Sequence, residues 1–235
     1  MKKYRNTIEF EVYGSYALFS NPVMRVGGEK TSYHIPTYEA LKGIVESIYW
    51  KPTIMWIIDG VRVMNPIQTE TKGIRPISYN GGNELAYYTY LKDVRYHPEL
   101  YKDWNENKHH NIAKRMVQRG GRRDIFLGTR ECQAFVEPCE FGQGESAYDS
   151  MPGEVDYGFM YHGITYADEA ILEEDKNKMT VRFWRPVMQK GGIIEFVRPE
   201  ECTQKRYIRD MERKVFGKNK NFIGLEEFTD EEVGE

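Results

Sequence analysis

The chain has 235 residues, a formal net charge of −3, a pI near 6.0 and 14% aromatic residues. This length fits one large domain or two small ones with a sizeable core, and the aromatic content argues against a disordered chain. Three cysteines without a CxxC pair favour reduced thiols over disulfides or a zinc site. The N-terminal residues do not contain the apolar core typical of a signal peptide, so we expect none, and the longest apolar run is too short to span a membrane. We therefore expect a cytoplasmic protein that does not bind a membrane.

The N-terminal segment predicts a strand and then a helix. Polar and apolar residues alternate over residues 7–13, which is typical of a half-buried strand, and Gly14 is expected to end it. Thr37 is the predicted N-cap of a helix whose apolar residues recur at helical spacing until residues 50–52. Tyr49 then lies in the last turn of this helix.

The next segment predicts a hairpin. Residues 54–58 form an apolar run typical of a buried strand, Asp59-Gly60 suits a tight turn, and residues 61–64 suit the returning strand. Residues 68–96, which are rich in Tyr, predict a loop that leads to a strand. The order strand, helix, strand, strand is the first half of a ferredoxin-like β-α-β-β-α-β unit.

A second helix at about residues 109–119, followed by a strand at 125–127 or 134–136, would complete that unit. Beyond residue 138, turn residues separate short strand-like runs, of which 159–161, 179–184 and 193–197 are the best candidates. The predicted class is therefore α+β. The predicted divisions are a ferredoxin-like (RRM-like) domain at 1–139, a small antiparallel β-rich subdomain at 140–220 and an acidic tail at 221–235.

A basic island interrupts this mildly acidic chain. Residues 108–131 carry seven Lys or Arg and two acids. Gly120-Gly121 should stop the second helix and form a turn whose N–H groups could face a phosphate. Ferredoxin-like sheets with basic loops often bind RNA, although a solvated helix face is the alternative. The cations that we expect to hold an RNA backbone are Lys114, Arg115, Arg119, Arg122 and Arg123, with base recognition from loops at 20–33 and 68–90.

Three residues could carry chemistry beside this island. His109 is either a surface histidine or a general acid or base, since an unperturbed histidine titrates near pH ~6.5, and Lys108 beside it could stabilise a phosphate. Tyr49 is either a packed aromatic or, with a nearby cation lowering its pKa, a participant in proton transfer. A metal site using Glu106 with His109 or His110 lacks further ligands in the sequence. We therefore expect no metal, and we expect no cofactor because neither a GxGxxG nor a P-loop motif is present.

These residues resemble a known family. The resembling segments are 10–19, 32–37, 43–52, 107–109 and 120–132, and the match extends to about residue 212. They resemble the CRISPR-associated pre-crRNA endoribonuclease of the type I-C (Dvulg) subtype, within the repeat-associated RNA-binding superfamily. The chain departs from relatives in a shorter segment before residue 107 and in carrying His110 where they tend to have an aromatic residue.

The resemblance implies a ferredoxin-like domain with a small β-sheet domain behind it. It also implies metal-independent cleavage of the CRISPR repeat transcript at the 3′ base of its hairpin. The enzyme would then keep the crRNA 5′ handle within the type I-C interference complex. We expect the RNA's own 2′-hydroxyl to attack, because the sequence offers neither a metal cluster nor an activated protein nucleophile. The family's catalytic residues correspond to Tyr49, Lys108 and His109. The competing hypotheses are a non-catalytic subunit that binds the crRNA handle and an unrelated metabolic enzyme.

Overall fold

The computed structural model describes residues 7–24, 28–51, 54–78, 80–101 and 107–213. The strands are β1 (Ile8–Ala17), β2 (Lys30–Thr31), β3 (Ile57–Val63), β4 (Gln68–Ile74), β5 (Ala86–Tyr101), β6 (Ile125–Phe126), β7 (Gln133–Pro138), β8 (Val155–Asp156), β9 (Met160–Thr165), β10 (Lys178–Trp184), β11 (Val187–Met188), β12 (Ile193–Glu195) and β13 (Gln204–Asp210). The helices are α1 (Tyr38–Ile48) and α2 (Asn107–Gln118), with 3₁₀ turns at Ala167–Glu169, Glu173–Asp175, Lys190–Gly192 and Pro199–Glu201. The predicted acidic tail lies outside the described residues.

The largest sheet contains its strands in the order β12-β3-β5-β1-β7-β6, and β2 and β4 also pair with β5. Strand β5 is antiparallel to β1 and to β3, and β7 is antiparallel to β1. Helix α1 lies between β1 and β3 in the chain, and α2 lies between β5 and β7. The predicted combination of antiparallel sheet with few helices is confirmed.

Helix α1 forms as its sequence predicts. The Thr37 hydroxyl accepts a hydrogen bond from the Ala40 N–H at 3.1 Å, which satisfies one of the free donors at the helix start. The apolar side chains at Leu41, Val45 and Ile48 lie on one face and are almost fully buried. That buried face fixes the position of the helix end, where Tyr49 follows.

Strand β1 continues beyond the predicted end at Gly14. A side chain at Gly14 would place its Cβ 2.8 Å from the Gln133 carbonyl oxygen at the start of β7. Glycine therefore allows β7 to approach β1 closely and does not end the strand. The expectation that Gly14 ends β1 is wrong, because the strand retains its pairing with β5 up to Ala17.

The predicted hairpin at Asp59-Gly60 is also wrong. Strand β3 passes through both residues without turning, and its register with β5 shifts between Ile58 and Gly60. A β-bulge absorbs the extra residue. The Asp59 carbonyl oxygen accepts a hydrogen bond from the Phe196 N–H at 2.8 Å, next to the pairing of β12 with β3. Pairing on both edges keeps this segment extended.

For the Tyr-rich region the sequence predicts a loop that leads to a strand. The strand is present as β5, but most of the predicted loop is β4, which forms a hairpin with β5. Strand β4 pairs with the first half of β5 from Gln68↔Lys92 to Ile74↔Ala86. The side chains of β4 are exposed or only half-buried, so its sequence contains few of the apolar residues by which a strand is usually predicted. Both alternatives for the strand after α2 exist, since β6 pairs with β7 and β7 pairs with β1.

The C-terminal part contains the predicted short strands. Strands β9, β10 and β13 form a separate sheet in the order β13-β10-β9, and β8 pairs with β11. Strand β12, however, pairs with β3 of the largest sheet. A shared cluster of buried side chains includes Met160, Trp184 and Ile194 together with those of α1 and the largest sheet. The division near residue 139 therefore stays a prediction.

Within the described ranges, no helix is both long enough and apolar enough to cross a membrane.

His162 in β9 is expected to make stability depend on pH. Its ring is 1% exposed, stacks on Tyr38 at 4.3 Å between centroids, and contacts the Val197 carbonyl oxygen at 2.8 Å. Burial lowers the pKa of His162 from 6.5 to about 4. The unfolded chain therefore takes up this proton near pH 6.5, whereas the folded chain does so only near pH 4. Between these two pH values the unfolded state binds more protons than the folded state. The free energy of unfolding therefore falls as the pH falls through this range.

The measurement compares the wild type with His162→Gln in urea denaturation from about pH 7 to about pH 4. Glutamine keeps an N–H donor for Val197 and cannot be protonated. The free energy of unfolding of the wild type should fall relative to His162→Gln by about 3 kcal/mol, at about 1.4 kcal/mol for each pH unit. A difference that does not change with pH would contradict this assignment.

Candidate functional site

The structure brings Tyr49 and His109 into contact. Tyr49 caps α1 in an extended conformation, with φ −158° and ψ 121°, and its N–H donates to the Val45 carbonyl oxygen at 2.9 Å. His109 lies in the first turn of α2. The Tyr49 hydroxyl oxygen is 2.8 Å from His109 Nδ1, and the two rings are 6.0 Å apart between centroids. Two residues from the ends of different helices thus form one pair.

The backbone at the end of α1 is held from two directions. The Trp56 indole N–H donates to the Tyr49 carbonyl oxygen at 2.8 Å. The N–H groups of Arg122 and Arg123 donate to the carbonyl oxygens of Ile48 and Ser47 at 3.2 and 3.1 Å. These carbonyls belong to the last turn of α1, where helical partners are missing. The turn after α2 therefore caps α1 and fixes the position of Tyr49.

This interaction corrects one expectation about the glycine turn. The predicted helix stop is confirmed, because Gly120 has φ 79° and Gly121 donates to the Met116 carbonyl oxygen at 2.8 Å. The expectation that the N–H groups of this turn face a phosphate is wrong, since those of Gly120 and Gly121 donate to carbonyl oxygens of α2. The N–H groups of Arg122 and Arg123 are likewise engaged, because both donate to α1. Only their side chains remain available for a ligand.

The Tyr49 hydroxyl does not have the lowered pKa that the sequence suggested. Tyr49 is 3% exposed, and burial raises its pKa above 10. The nearby Arg122 guanidinium acts in the opposite direction but is outweighed. Tyr49 therefore stays protonated at neutral pH. A neutral hydroxyl is suited to holding the His109 ring and unsuited to acting as a base.

Lys108 is exposed in the first turn of α2, one residue before His109. The first turn of a helix presents N–H groups without helical partners and the positive end of the helix dipole. The ammonium of Lys108 adds a full positive charge at the same end of the helix. All of these features favour a bound anion at this position. Lys108 therefore lies where a phosphate could reach both its ammonium and His109.

The five other predicted cations are all exposed, but they do not form one surface. Arg115 follows Lys108 at helical position i+7 and so shares its side of α2, and Arg119 is the first residue after the helix. Arg122 lies close enough to Tyr49 to affect its pKa. Lys114 instead lines a groove with Glu9 and Glu140, between the end of α2 and the strands β1 and β7.

Some functional neighbours were missed by sequence reasoning. Trp56 was assigned only to an apolar run, and nothing in the sequence indicates that its indole would reach the Tyr49 carbonyl. The loop expected at 68–90 is largely β4 and β5, and part of the 20–33 loop lies outside the described residues. Glu106 also lies outside them. Among the described residues, no group of three or more His, Cys, Asp or Glu could hold a metal ion.

Comparison with known proteins gives consistent matches. The sequence matches the family Cas_Cas5d, described as CRISPR-associated protein (Cas_Cas5), over residues 7–195. It is 42% identical over 229 residues to the CRISPR pre-crRNA endoribonuclease Cas5d of Mannheimia succiniciproducens, covering 81% of this chain and 94% of that protein. It is 27% identical over 195 residues to the protein of the same name from Thermus thermophilus, covering 76% of this chain and 80% of that protein.

The fold is similar to solved structures as well. One is described as a CRISPR-associated protein and is 34% identical, with a TM-score of 0.68 over 85% of this chain and 96% of the other. A functionally uncharacterized protein from Streptococcus mutans is also 34% identical, with a TM-score of 0.67 over the same shares of both chains. The resemblance drawn from the sequence motifs is confirmed. Because the family match spans most of the chain, this protein belongs to the Cas5d family of CRISPR-associated proteins.

Proposed function

We propose that this chain cleaves CRISPR repeat transcripts and that Tyr49, Lys108 and His109 form its catalytic site. The observation that carries the proposal is the 2.8 Å contact between the Tyr49 hydroxyl and His109 Nδ1. It occurs in a chain whose curated relatives are named CRISPR pre-crRNA endoribonucleases. A histidine held by a hydroxyl at a helix N-terminus is suited to proton transfer on a bound phosphodiester.

The reaction uses the nucleophile that RNA itself supplies. The 2′-oxygen forms a bond to the adjacent phosphorus while the bond from phosphorus to the 5′-oxygen breaks. One proton leaves the 2′-hydroxyl and one is delivered to the 5′-oxygen, so the products carry a 2′,3′-cyclic phosphate and a 5′-hydroxyl. The protein must therefore transfer protons and stabilise the charge that develops on phosphorus.

His109 carries out proton transfer through Nε2, because Nδ1 is engaged by Tyr49. A tyrosine hydroxyl can both donate and accept a hydrogen bond, so this contact can persist when the imidazole gains or loses a proton. Tyr49 is buried, and its raised pKa keeps the hydroxyl protonated. We therefore assign Tyr49 a positioning role through His109, in place of the direct part in proton transfer that the sequence suggested.

Lys108 stabilises the negative charge of the phosphorane. Its exposed ammonium lies beside His109 at the start of α2, where the helix dipole adds to the positive potential. Arg122 lies near Tyr49 and can contact a neighbouring phosphate with its guanidinium. The RNA backbone would then follow the side of α2 that carries Lys108 and Arg115, towards Arg119 just after the helix.

The architecture supports a finer assignment of the fold. The strand order β3-β5-β1-β7, with α1 after β1 and α2 after β5, supports a ferredoxin-like β-α-β-β-α-β unit made of these six elements. We assign this unit to residues 1–139 and the β-rich part to residues 140–220.

After cleavage the chain keeps the crRNA 5′ handle and joins the other subunits of the type I-C interference complex, a role that the exposed cations support.

Replacing Arg122 and Arg123 together with alanine should weaken RNA binding and reduce its salt dependence. Each bound phosphate releases condensed counterions, so each phosphate that is no longer bound lowers the slope of log K against log salt by about 0.7–0.9. The backbone N–H groups of residues 122 and 123 would still cap α1, because alanine retains them. Fluorescence polarisation with a labelled repeat RNA at several salt concentrations measures the slope.

Lys114→Ala is the matched control for this double variant. Lys114 is also exposed, but it lines the groove with Glu9 and Glu140, away from the Tyr49–His109 pair. Because Lys114→Ala removes one positive charge and the double variant removes two, we expect its change in slope to be less than half that of the double variant. Equal slopes for the wild type and the Arg122/Arg123 variant would place both arginines on a solvated face.

Incubating purified protein with an end-labelled repeat RNA in EDTA tests the proposed function. We expect cleavage at one bond at the 3′ base of the hairpin, with a cyclic phosphate on the upstream product. RNA that is bound but remains intact at micromolar protein would overturn the enzyme assignment. That outcome would favour the alternative hypothesis, a non-catalytic subunit that binds the crRNA handle.

A further inference from the structure

The small sheet β9-β10-β13 has one buried face and one open face. Thr180, Arg182 and Trp184 of β10 point to the buried face and are between 2% and 6% exposed. The alternate residues Val181 and Phe183 are only half-buried. Strand β13 is exposed along its whole length. The open face therefore presents side chains of β10 and β13 to solvent.

Aromatic and basic side chains lie next to one another on this open face. Arg206 is directly opposite Val181. Arg209 is directly opposite Met179, beyond a shift of register between Met179 and Thr180. Residues that are opposite one another share a face of the sheet, so both arginines lie on the same side as Phe183. Phe159, just before β9, is 63% exposed and stacks on Phe183 with 6.3 Å between centroids and an interplanar angle of 19°. A solvent-facing aromatic pair thus lies on a sheet that also carries two arginines.

A second aromatic pair at the surface, Tyr13 and Phe135, has acidic neighbours, whereas the open face has basic ones. Those rings lie on the largest sheet in a groove lined by Glu11 and Glu137, and the Tyr13 hydroxyl donates to Glu137 at 2.6 Å. Acidic side chains there would repel a polyanion. Arg206 and Arg209, by contrast, form no ion pair within the described ranges.

We propose that the face formed by Phe159, Val181, Phe183, Arg206 and Arg209 binds a single-stranded segment of RNA. Bases can stack on exposed phenylalanine rings, and arginine forks can pair with phosphates alongside them. A single strand is required, because bases paired within a duplex cannot stack on a side chain. The inference rests on the proposed function for the source of the RNA, which is the unpaired segment flanking the repeat hairpin.

The test compares two labelled RNAs, a repeat hairpin alone and the same hairpin with a single-stranded flank. Phe159→Ala should weaken binding of the flanked RNA by about fivefold or more, as is typical when one base can no longer stack on an aromatic ring. Arg206→Ala/Arg209→Ala should lower the salt slope for the flanked RNA by about 0.7 for each phosphate that is no longer bound. Binding of the hairpin alone should stay at the wild-type level in both variants.

Two variants serve as matched controls. Phe135→Ala removes a ring that is 57% exposed but lies among acids, and Arg185→Ala removes an exposed arginine that pairs with Asp156 at 2.7 Å. Neither should change the affinity for flanked RNA. If Phe159→Ala and Arg206→Ala/Arg209→Ala also bind the flanked RNA like the wild type, the inference is wrong and the face is left for a protein partner.

Cleavage of the flanked RNA, which contains the bond at the 3′ base of the hairpin, is measured on the same preparations and separates this inference from the proposed function. If the wild type cuts the RNA but the variants bind the flanked RNA as the wild type does, the inference alone is overturned. A wild-type protein that does not cut, with Phe159→Ala weakened in flanked-RNA binding, overturns the proposed cleavage alone and supports the RNA-binding face.

Discussion

Replacing His109 with alanine is expected to slow cleavage of the repeat RNA by about 10²- to 10⁴-fold, the usual contribution of a general acid or base. His109 Nδ1 is held by the Tyr49 hydroxyl, so Nε2 is the nitrogen that we assign to proton exchange with the RNA. Affinity for the RNA should stay close to that of the wild type, because the exposed cations are unchanged. Single-turnover cleavage and fluorescence polarisation measure the two quantities separately.

Two further variants test whether the geometry explains this effect. His110→Ala changes the adjacent histidine, which is not the one that contacts Tyr49, and should cleave far better than His109→Ala. Tyr49→Phe removes the hydroxyl and keeps the ring, so its cleavage rate should lie between those of the wild type and His109→Ala. A rate for His110→Ala as low as that of His109→Ala would show that the wrong histidine has been assigned.

Replacing Asp175 with alanine is expected to destabilise the fold by about 3–5 kcal/mol, as is usual when one partner of a buried ion pair is removed. Asp175 and Arg182 form an ion pair in which both side chains are at most 3% exposed. Arg182 also donates to the Thr165 hydroxyl at 2.8 Å. Without the carboxylate of Asp175, the guanidinium would stay buried and would no longer face this opposite charge.

Urea denaturation measures this destabilisation against a matched control. Asp156→Ala breaks the pair between Asp156 and Arg185, whose side chains are 41% and 66% exposed. Exposed pairs contribute little to stability, so the midpoint of this variant should remain nearly that of the wild type. Equal midpoints for Asp175→Ala and Asp156→Ala would contradict the assigned importance of the buried pair.

Elements with strong local signals could be predicted from the sequence. Thr37 and the apolar spacing behind it predict α1, and Gly120-Gly121 predict the end of α2. Asp59-Gly60 has the composition of a turn, yet β3 passes through it. The pairing of β3 with β5 on one edge and β12 on the other outweighs local turn preference there.

The candidate site could be predicted only as a set of residues. The family resemblance indicated Tyr49, Lys108 and His109, but not that the Tyr49 hydroxyl contacts Nδ1. Nor could it indicate that Trp56 and the N–H groups after α2 fix the end of α1. These interactions join segments that are distant in the chain, and spacing within one element does not encode them. The raised pKa of Tyr49 likewise depends on burial by the whole fold.

A single 2′-deoxy nucleotide placed just 5′ of the cleaved bond tests the central claim most directly. The substitution removes the proposed nucleophile and leaves the phosphates that the cations contact. We expect this RNA to bind with wild-type affinity and to remain intact at that bond, while the unmodified RNA is cut there under the same conditions. Cleavage of the 2′-deoxy RNA at the same bond would contradict attack by the 2′-hydroxyl and the roles assigned to Lys108 and His109.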